Sequence, residues 1–353
     1  MTRRRTGRAQ AWAWAELLRV SALFSVPGDA LAGAAAAGVR PGRGTLCAIG
    51  ASLCLYEAGM ALNDWADRAE DAAERPHRPL PSGRIAPSAA LAASAALTAA
   101  GLALASRAGR PPLAVATALA ATVWAYDLGL KHTPAGPGTM ATARALDLLL
   151  GATASTGGYG GPRRRAVHAL PSAALLGAHT YAVTAVSRHE TQGGSTRTPL
   201  AALAVTLAVA GAAAGEGLGT RPATTTVSSP SGPPAPRPHP ALPSRRSLPS
   251  RRSLPSRRSL PSRRSLSSRR ALPSRGLGPL LALAYARTPA TLLLHAALNP
   301  SAALTERAVG GGIRATIPLQ AALAARAGAP GTALALLGLV PAARALARKV
   351  SPT

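Results

Sequence analysis

The feature that most constrains this chain is a succession of long apolar runs, built mostly from Ala and Leu and separated by short polar segments. Runs of about 20 mainly apolar residues match the hydrocarbon thickness of a bilayer, where a helix satisfies all its own backbone polar groups. Such segments lie near residues 16 to 38, 45 to 62, 87 to 106, 112 to 130, 139 to 158, 167 to 187, 199 to 215 and 278 to 297, with shorter ones near 312 to 327 and 330 to 347. The pattern predicts an all-α fold, a multi-pass transmembrane bundle of about nine helices. Four Trp, five Tyr and one Phe in 353 residues would leave a soluble core without its largest packing elements. Small residues, by contrast, suit close helix approach in lipid, and a sandwich or barrel is excluded.

Charge supports the same reading once its position is considered. A formal net charge of +27 suggests nucleic acid, but 13 Arg and no acid fall between Gly217 and Gly276, and the rest is spread over short segments between apolar runs. That distribution marks membrane flanks and predicts no nucleic-acid partner. Cys47 and Cys54 are seven residues apart in one apolar segment. On a helix this is about 10.5 Å of rise, beyond the roughly 7 Å reach of a disulfide, so both are read as free thiols. Arg3-Arg4-Arg5 before an apolar run also fits a secretory or twin-arginine signal. Pro27 and Asp29 interrupt that run, which favours a retained first helix with a cytoplasmic basic flank.

Residues 217 to 276 differ in kind. Leu-Pro-Ser-Arg-Arg-Ser recurs every six residues after a Pro/Ser/Thr-rich lead. With single leucines as almost its only large apolar groups, the tract cannot bury enough surface to offset its ordering entropy. It is expected to be a disordered insertion between two parts, 1 to 216 and 277 to 353, of one membrane domain. A polybasic arm for anionic lipid or nucleic acid is one use for it. An exported passenger loop with no catalytic role is the preferred reading, because loops absorb insertions at small cost.

Chemistry concentrates at the end of the second apolar segment, in Asn63-Asp64-Trp65-Ala66-Asp67-Arg68-Ala69-Glu70-Asp71. On a helix Asp64, Asp67 and Asp71 fall within about 60° of one another, and three unpaired carboxylates on one face call for cations. Oxygen-only ligands suit Mg2+. Arg75, Arg78 and Arg84 follow at once in a Pro- and Gly-rich loop, Arg75-Pro76-His77-Arg78-Pro79-Leu80-Pro81-Ser82-Gly83-Arg84. Cation ligands followed by guanidinium groups would serve a diphosphate held through Mg2+ on one side and arginine on the other. A second stretch carries Tyr126-Asp127-Leu128-Gly129-Leu130-Lys131 and then Arg144-Ala145-Leu146-Asp147.

These motifs resemble the UbiA superfamily of intramembrane prenyltransferases, whose first acidic motif reads Asn-Asp-x-x-Asp-x-x-x-Asp before an Arg-Pro-x-Arg-Pro-Leu-Pro-Ser-Gly-like loop. Two departures stand in the second stretch: Tyr126 to Lys131 is one residue longer than the common spacing, and Asp147 replaces an Asn. At the second acidic motif this chain has Ser187, Glu190 and Gly194 in place of three acids. That departure resembles the EboC branch, prenyltransferase-like membrane proteins associated with secondary-metabolite export. The resemblance implies a UbiA-like fold and transfer of an allylic prenyl group from a Mg2+-bound prenyl diphosphate donor to an unidentified lipid or small-molecule acceptor. It implies Asp64, Asp67 and Asp71 as metal ligands, with Arg75, Arg78 and Lys131 neutralising the diphosphate. Asn63, Tyr126 and Arg144 would contact substrate, and His189 and Glu190 would orient the acceptor or serve as its base. A site on the cytoplasmic side of the cell membrane is expected, with membrane lipid around it. A catalytically degenerate prenyl-diphosphate-binding component of metabolite trafficking is the alternative. A cation- or proton-relay transporter is disfavoured, because the acids cluster at helix ends beside Arg.

Overall fold

A computed structural model describes residues 2–19, 25–156, 166–189, 195–215 and 276–350, which include no strand. The repeat tract and Glu190 lie outside the described residues. Twelve α-helices and one π turn follow in order: α1 Thr2–Leu17, α2 Val26–Ala36, α3 Arg43–Ala66, α4 Arg68–Glu74, α5 Pro87–Ala108, α6 Arg110–Ala125, the π turn Tyr126–Leu130, α7 Gly136–Ser155, α8 Leu170–Ser187, α9 Arg197–Ala214, α10 Leu277–Leu298, α11 Ala302–Arg326 and α12 Pro330–Val350. Among the described residues, five segments are long and apolar enough to cross a membrane: α3, α5, α6 with the π turn, α9 and α10.

Helix boundaries fall where backbone chemistry requires them. Proline occupies the first turn of α2, α5, α6, α7 and α8, where its missing N–H costs nothing. A single residue, Gly109, joins α5 to α6 at φ +122°, a conformation that a side chain would strain. The sequence led us to expect one helix near 16 to 38, but α1 ends at Leu17 and α2 begins at Val26. Arg19 between them has φ +46°, which no helix accommodates.

Two apolar cores meet along α2 and α7. Ala32, Leu148 and Ala152 pack with α8 to α12 around the buried Tyr285 and Leu319. Ala30, Leu150 and Ala154 pack with α3, α5 and α6 around Leu55 and Leu119. The seam is closed backbone to backbone. A Cβ on Gly151 would stand 2.3 Å from the Ala30 Cα, and one on Gly33 would stand 2.1 Å from the Leu148 carbonyl oxygen. Small residues thus replace the hydrophobic drive that lipid cannot supply between helices. Gly151→Val should push the seam apart and destabilise the fold by about 1–3 kcal/mol or more. A thermal-unfolding temperature for the purified variant equal to that of the unmodified protein would contradict this packing.

Candidate functional site at the mouth of the central cavity

A cavity of about 530 Å³ opens between α3, α6, α7, α8 and α11. Arg19, Asn63, Tyr126 and Ser187 line it at one set of helix ends, its mouth, and Ser52, Arg144, Asp147 and His179 line it farther along the helices. The acidic motif begins at that end with Asn63, while Asp64, Asp67 and Asp71 lie beside the cavity wall and not on it. α3 stops at Ala66 and α4 starts at Arg68, with Asp67 as the residue between them. The Asp67 N–H still donates to the Asn63 carbonyl at 2.9 Å and the Asp71 N–H to the Asp67 carbonyl at 2.8 Å, so the three acids keep nearly the helical register.

That register divides their work. Asp64 and Asp71 are buried and turn toward the arginine loop. The Arg78 Nη1 lies 2.7 Å from the Asp71 Oδ2 and 3.7 Å from the Asp64 Oδ1, so a single nitrogen joins two carboxylates. Arg75 adds a longer contact to Asp71 at 3.5 Å. Asp67 points elsewhere, to Lys131. The Lys131 Nζ donates to the Asn63 Oδ1 at 2.9 Å and also to the Asp67 carboxylate, to which the Asn63 Nδ2 donates at 3.2 Å. Asp67, Glu70 and His132 further offer ligand atoms within 4.8 Å of one another at the outer rim. The donor set fits a divalent cation of the oxygen-preferring kind: two buried carboxylates converge on one volume that already holds a positive charge, and a third stands one turn away.

Some predicted residues join this site and others stand apart. Asn63, Asp67 and Lys131 form one side-chain cluster and Asp64, Asp71, Arg75 and Arg78 a second, the two joined by the backbone hydrogen bonds of the motif. Tyr126 lines the cavity beside them. Arg144 lines it more deeply, where its Nε lies 3.1 Å from the Oδ2 of the fully buried Asp29. His189 is half-buried in the turn after α8, with its N–H on the Val186 carbonyl, and is absent from the cavity wall. Neighbouring Arg188 donates to the Thr133 carbonyl and so ties α8 to the loop after Lys131.

Sequence reasoning missed Arg19, the Glu16 partner of Arg84, and a buried polar layer around Arg144. Arg19 reaches back 45 residues to place Nη2 at 3.1 Å from the Asp64 Oδ1. No local pattern signals this, because the contact depends on the break between α1 and α2. Arg84 binds Glu16 at 2.6 Å and clasps the arginine loop to α1. Ser52, Asp29 and Gln320 build a buried polar layer around Arg144 and Asp147: the Ser52 hydroxyl donates to Asp147, and the Gln320 Nε2 donates to the Asp29 Oδ1 at 2.7 Å. Asp29 inside an apolar run was the available signal.

A family model for the UbiA prenyltransferase family matches residues 22–220. Digeranylgeranylglyceryl phosphate synthase of Methanopyrus kandleri is 34% identical over 115 residues, 33% of this chain and 41% of that protein. The same enzyme of Korarchaeum cryptofilum is 34% identical over 113 residues, 32% of this chain and 40% of its own. The chain thus spans about two fifths of the length of the curated relatives it matches. A solved structure concerning digeranylgeranylglyceryl phosphate synthase in membranes has a TM-score of 0.55 at 14% identity, covering 90% of this chain and 98% of its own. The apo structure of a UbiA homologue from Aeropyrum pernix K1 has a TM-score of 0.54 at 15% identity, covering 85% and 96%. These likenesses show a common fold.

Proposed function

The chain belongs to the UbiA prenyltransferase family, an integral membrane protein by that membership and its apolar helices, and we propose that it transfers an allylic prenyl group from a prenyl diphosphate to a lipid alcohol. The observation that carries the reading is the Lys131 ammonium, held by Asn63 and Asp67 at the mouth of an intramembrane cavity with Asp64, Asp71 and Arg78 beside it. Charges of both signs are gathered where a polar head meets an apolar channel.

In this reading Asp64, Asp67 and Asp71 would hold Mg2+, which would supply charge neutralisation for the diphosphate leaving group. Lys131, Arg75 and Arg78 donate to the diphosphate oxygens. Their present carboxylate partners are exchanged for metal and substrate, so the bases are already aimed and little reorganisation is needed as charge grows on the leaving group. Tyr126 and the apolar walls, among them Leu55, Leu119 and Val123, enclose the prenyl chain and keep water from the allylic cation. Arg144 faces the deeper, acceptor-side space. His189 and Glu190 remain candidates for the acceptor entrance.

The named relatives make a diprenyl glyceryl phosphate, and by chemical subtraction the acceptor class would be a monoprenyl glyceryl phosphate with one free hydroxyl. Placement in an EboC-like branch would rest on the reduced second acidic motif, Ser187, Glu190 and Gly194. We favour the lipid-ether reading, because the retained network covers every element needed at the donor end. The side on which the basic loops lie we take as cytoplasmic, by their positive charge. The tract from 217 to 276 we read as a passenger insertion in one membrane domain.

Lys131→Met tests the donor site. Losing a charge-assisted contact of about 1.5–3 kcal/mol should weaken Mg2+-dependent binding of geranylgeranyl diphosphate roughly 10- to 100-fold. Equilibrium binding to the purified variant within twofold of the unmodified protein would reject the assignment.

A further inference from the structure

Asp127 lies on the wall of the same cavity, and the donor site described above makes no use of it. It sits in the π turn Tyr126–Leu130, closed by the Lys131 N–H on the Tyr126 carbonyl at 2.9 Å. A π turn is what one extra residue in an α-helix produces, and such insertions re-aim the side chains that follow. Here the extra residue is visible in the sequence as the lengthened spacing from Tyr126 to Lys131. Its effect is to turn Asp127 toward α3, where the Oδ2 lies 4.0 Å from the place a Cβ on Gly59 would occupy. Gly59 lets α6 approach α3 closely here, since a Cβ on it would stand 3.0 Å from the Val123 Cγ1.

The other ionisable groups on the cavity wall already have work or the wrong charge. Asp147 takes the Ser52 hydroxyl and lies beside Arg144 and Asp29. His179 has one ring nitrogen 3.0 Å from the Tyr285 hydroxyl and the other 3.1 Å from the Gly312 carbonyl. Arg19 and Arg144 are cations engaged with Asp64 and Asp29. Asp127 is 9% exposed and forms no hydrogen bond or ion pair among the described residues, although the charges of Lys131, Asp67, Arg19 and Asp64 act on it.

Depth decides between the two cavity acids. Gly59 is one helical turn inward from Asn63, about 6 Å, whereas Ser52, which holds Asp147, is about 16 Å inward. A diphosphate at Lys131 carries its ester carbon one C–O bond away, within that first turn. Asp127 therefore faces the reacting carbon and Asp147 does not.

We propose that Asp127 is the general base that removes the proton of an alcohol acceptor. The assignment rests on the prenyl-transfer reading. The acceptor oxygen forms a C–O bond to the allylic carbon, the bond from that carbon to the diphosphate oxygen breaks with its electron pair leaving on diphosphate, and the acceptor's proton passes to the Asp127 carboxylate. The product is an ether and a free diphosphate, and the carboxylic acid formed at Asp127 returns its proton to water when the site opens.

The test uses the full chain in detergent with Mg2+, geranylgeranyl diphosphate as donor and geranylgeranylglyceryl phosphate as acceptor. Asp127→Asn keeps the size and shape of the side chain. It should bind the donor within about twofold of the unmodified protein and lose turnover roughly 10²- to 10⁴-fold, the range a positioned base supplies. Asp127→Ala should lose as much and recover part of it in added formate, which a packing defect would not do. Turnover of Asp127→Asn within threefold of the unmodified protein would overturn the proposal. So would a parallel collapse of donor binding, which would make Asp127 part of the metal or donor site, or an Asp127→Ala variant that formate does not restore. If the unmodified chain binds no geranylgeranyl diphosphate, the prenyl-transfer reading itself fails, an outcome visible before any variant is made.

Discussion

Asp64→Ala and Asp67→Ala are each expected to abolish Mg2+-dependent binding of geranylgeranyl diphosphate while leaving the helical content of the protein unchanged. The two acids act from different sides. Asp64 is buried against Arg19 at 3.1 Å and Arg78 at 3.7 Å, whereas Asp67 holds the Lys131 ammonium. Neither change strands a buried charge. Arg78 keeps its 2.7 Å contact with Asp71, Arg19 is 40% exposed and can turn to water, and Lys131 keeps the Asn63 amide oxygen at 2.9 Å. The cost to the fold should therefore stay near the roughly 1 kcal/mol of an accessible ion pair. Binding should suffer far more, because each variant removes a carboxylate from the only oxygen set of this depth at the cavity mouth among the described residues. We expect a loss on the order of 100-fold or more, about 2.8 kcal/mol. Titration of donor into each variant with and without Mg2+ gives the answer. Affinity unchanged in both, on protein shown to be folded, would remove the metal site from this position.

How much of this was legible beforehand depends on whether the information is local. Asn63, Asp64, Asp67, Asp71, Arg75 and Arg78 are close in sequence, and a helix followed by a Pro-rich loop brings them together with little help from the rest of the chain. Lys131 and Tyr126 came from a second motif whose partner was inferred from resemblance, and the hydrogen bond to Asn63 bears out their proximity. The break between α1 and α2 was not legible. An apolar run reads as one helix by composition, and the left-handed Arg19 that ends it goes with a contact 45 residues away. The lengthened Tyr126–Lys131 spacing was visible but ambiguous, since an extra residue is compatible with a loop, a bulge or a π turn, and the fold takes the last. Nor was the role of Gly151 legible: it lets α7 touch α2, and an Ala-rich sequence gives no sign of which small residues face a neighbour and which face a space.

Arg144→Met should be the most destabilising single change in the cavity wall. Arg144 stands between the cavity and Asp29, which is fully buried in the seam of α2 and α7 and held at 2.7 Å by the Gln320 Nε2 on α11. Three helices thus converge on one carboxylate, and a single guanidinium serves both it and the neighbouring Asp147. Met preserves much of the apolar stem of Arg but leaves Asp29 without a counter-charge where water does not reach. Breaking a buried pair from one side typically costs about 3–5 kcal/mol, most of it the penalty of the stranded partner. For a chain of this size that should lower the apparent unfolding temperature by on the order of 10 °C. The same reasoning predicts a repair. Asp29→Asn added to Arg144→Met removes the stranded charge and retains an oxygen for Gln320, so the double variant should unfold at a higher temperature than Arg144→Met alone. Thermal unfolding of the two purified variants in the same detergent distinguishes this from a simple loss of packing. If the buried ion pair does not organise this seam, Arg144→Met will unfold with the unmodified protein, or the second substitution will add to the damage.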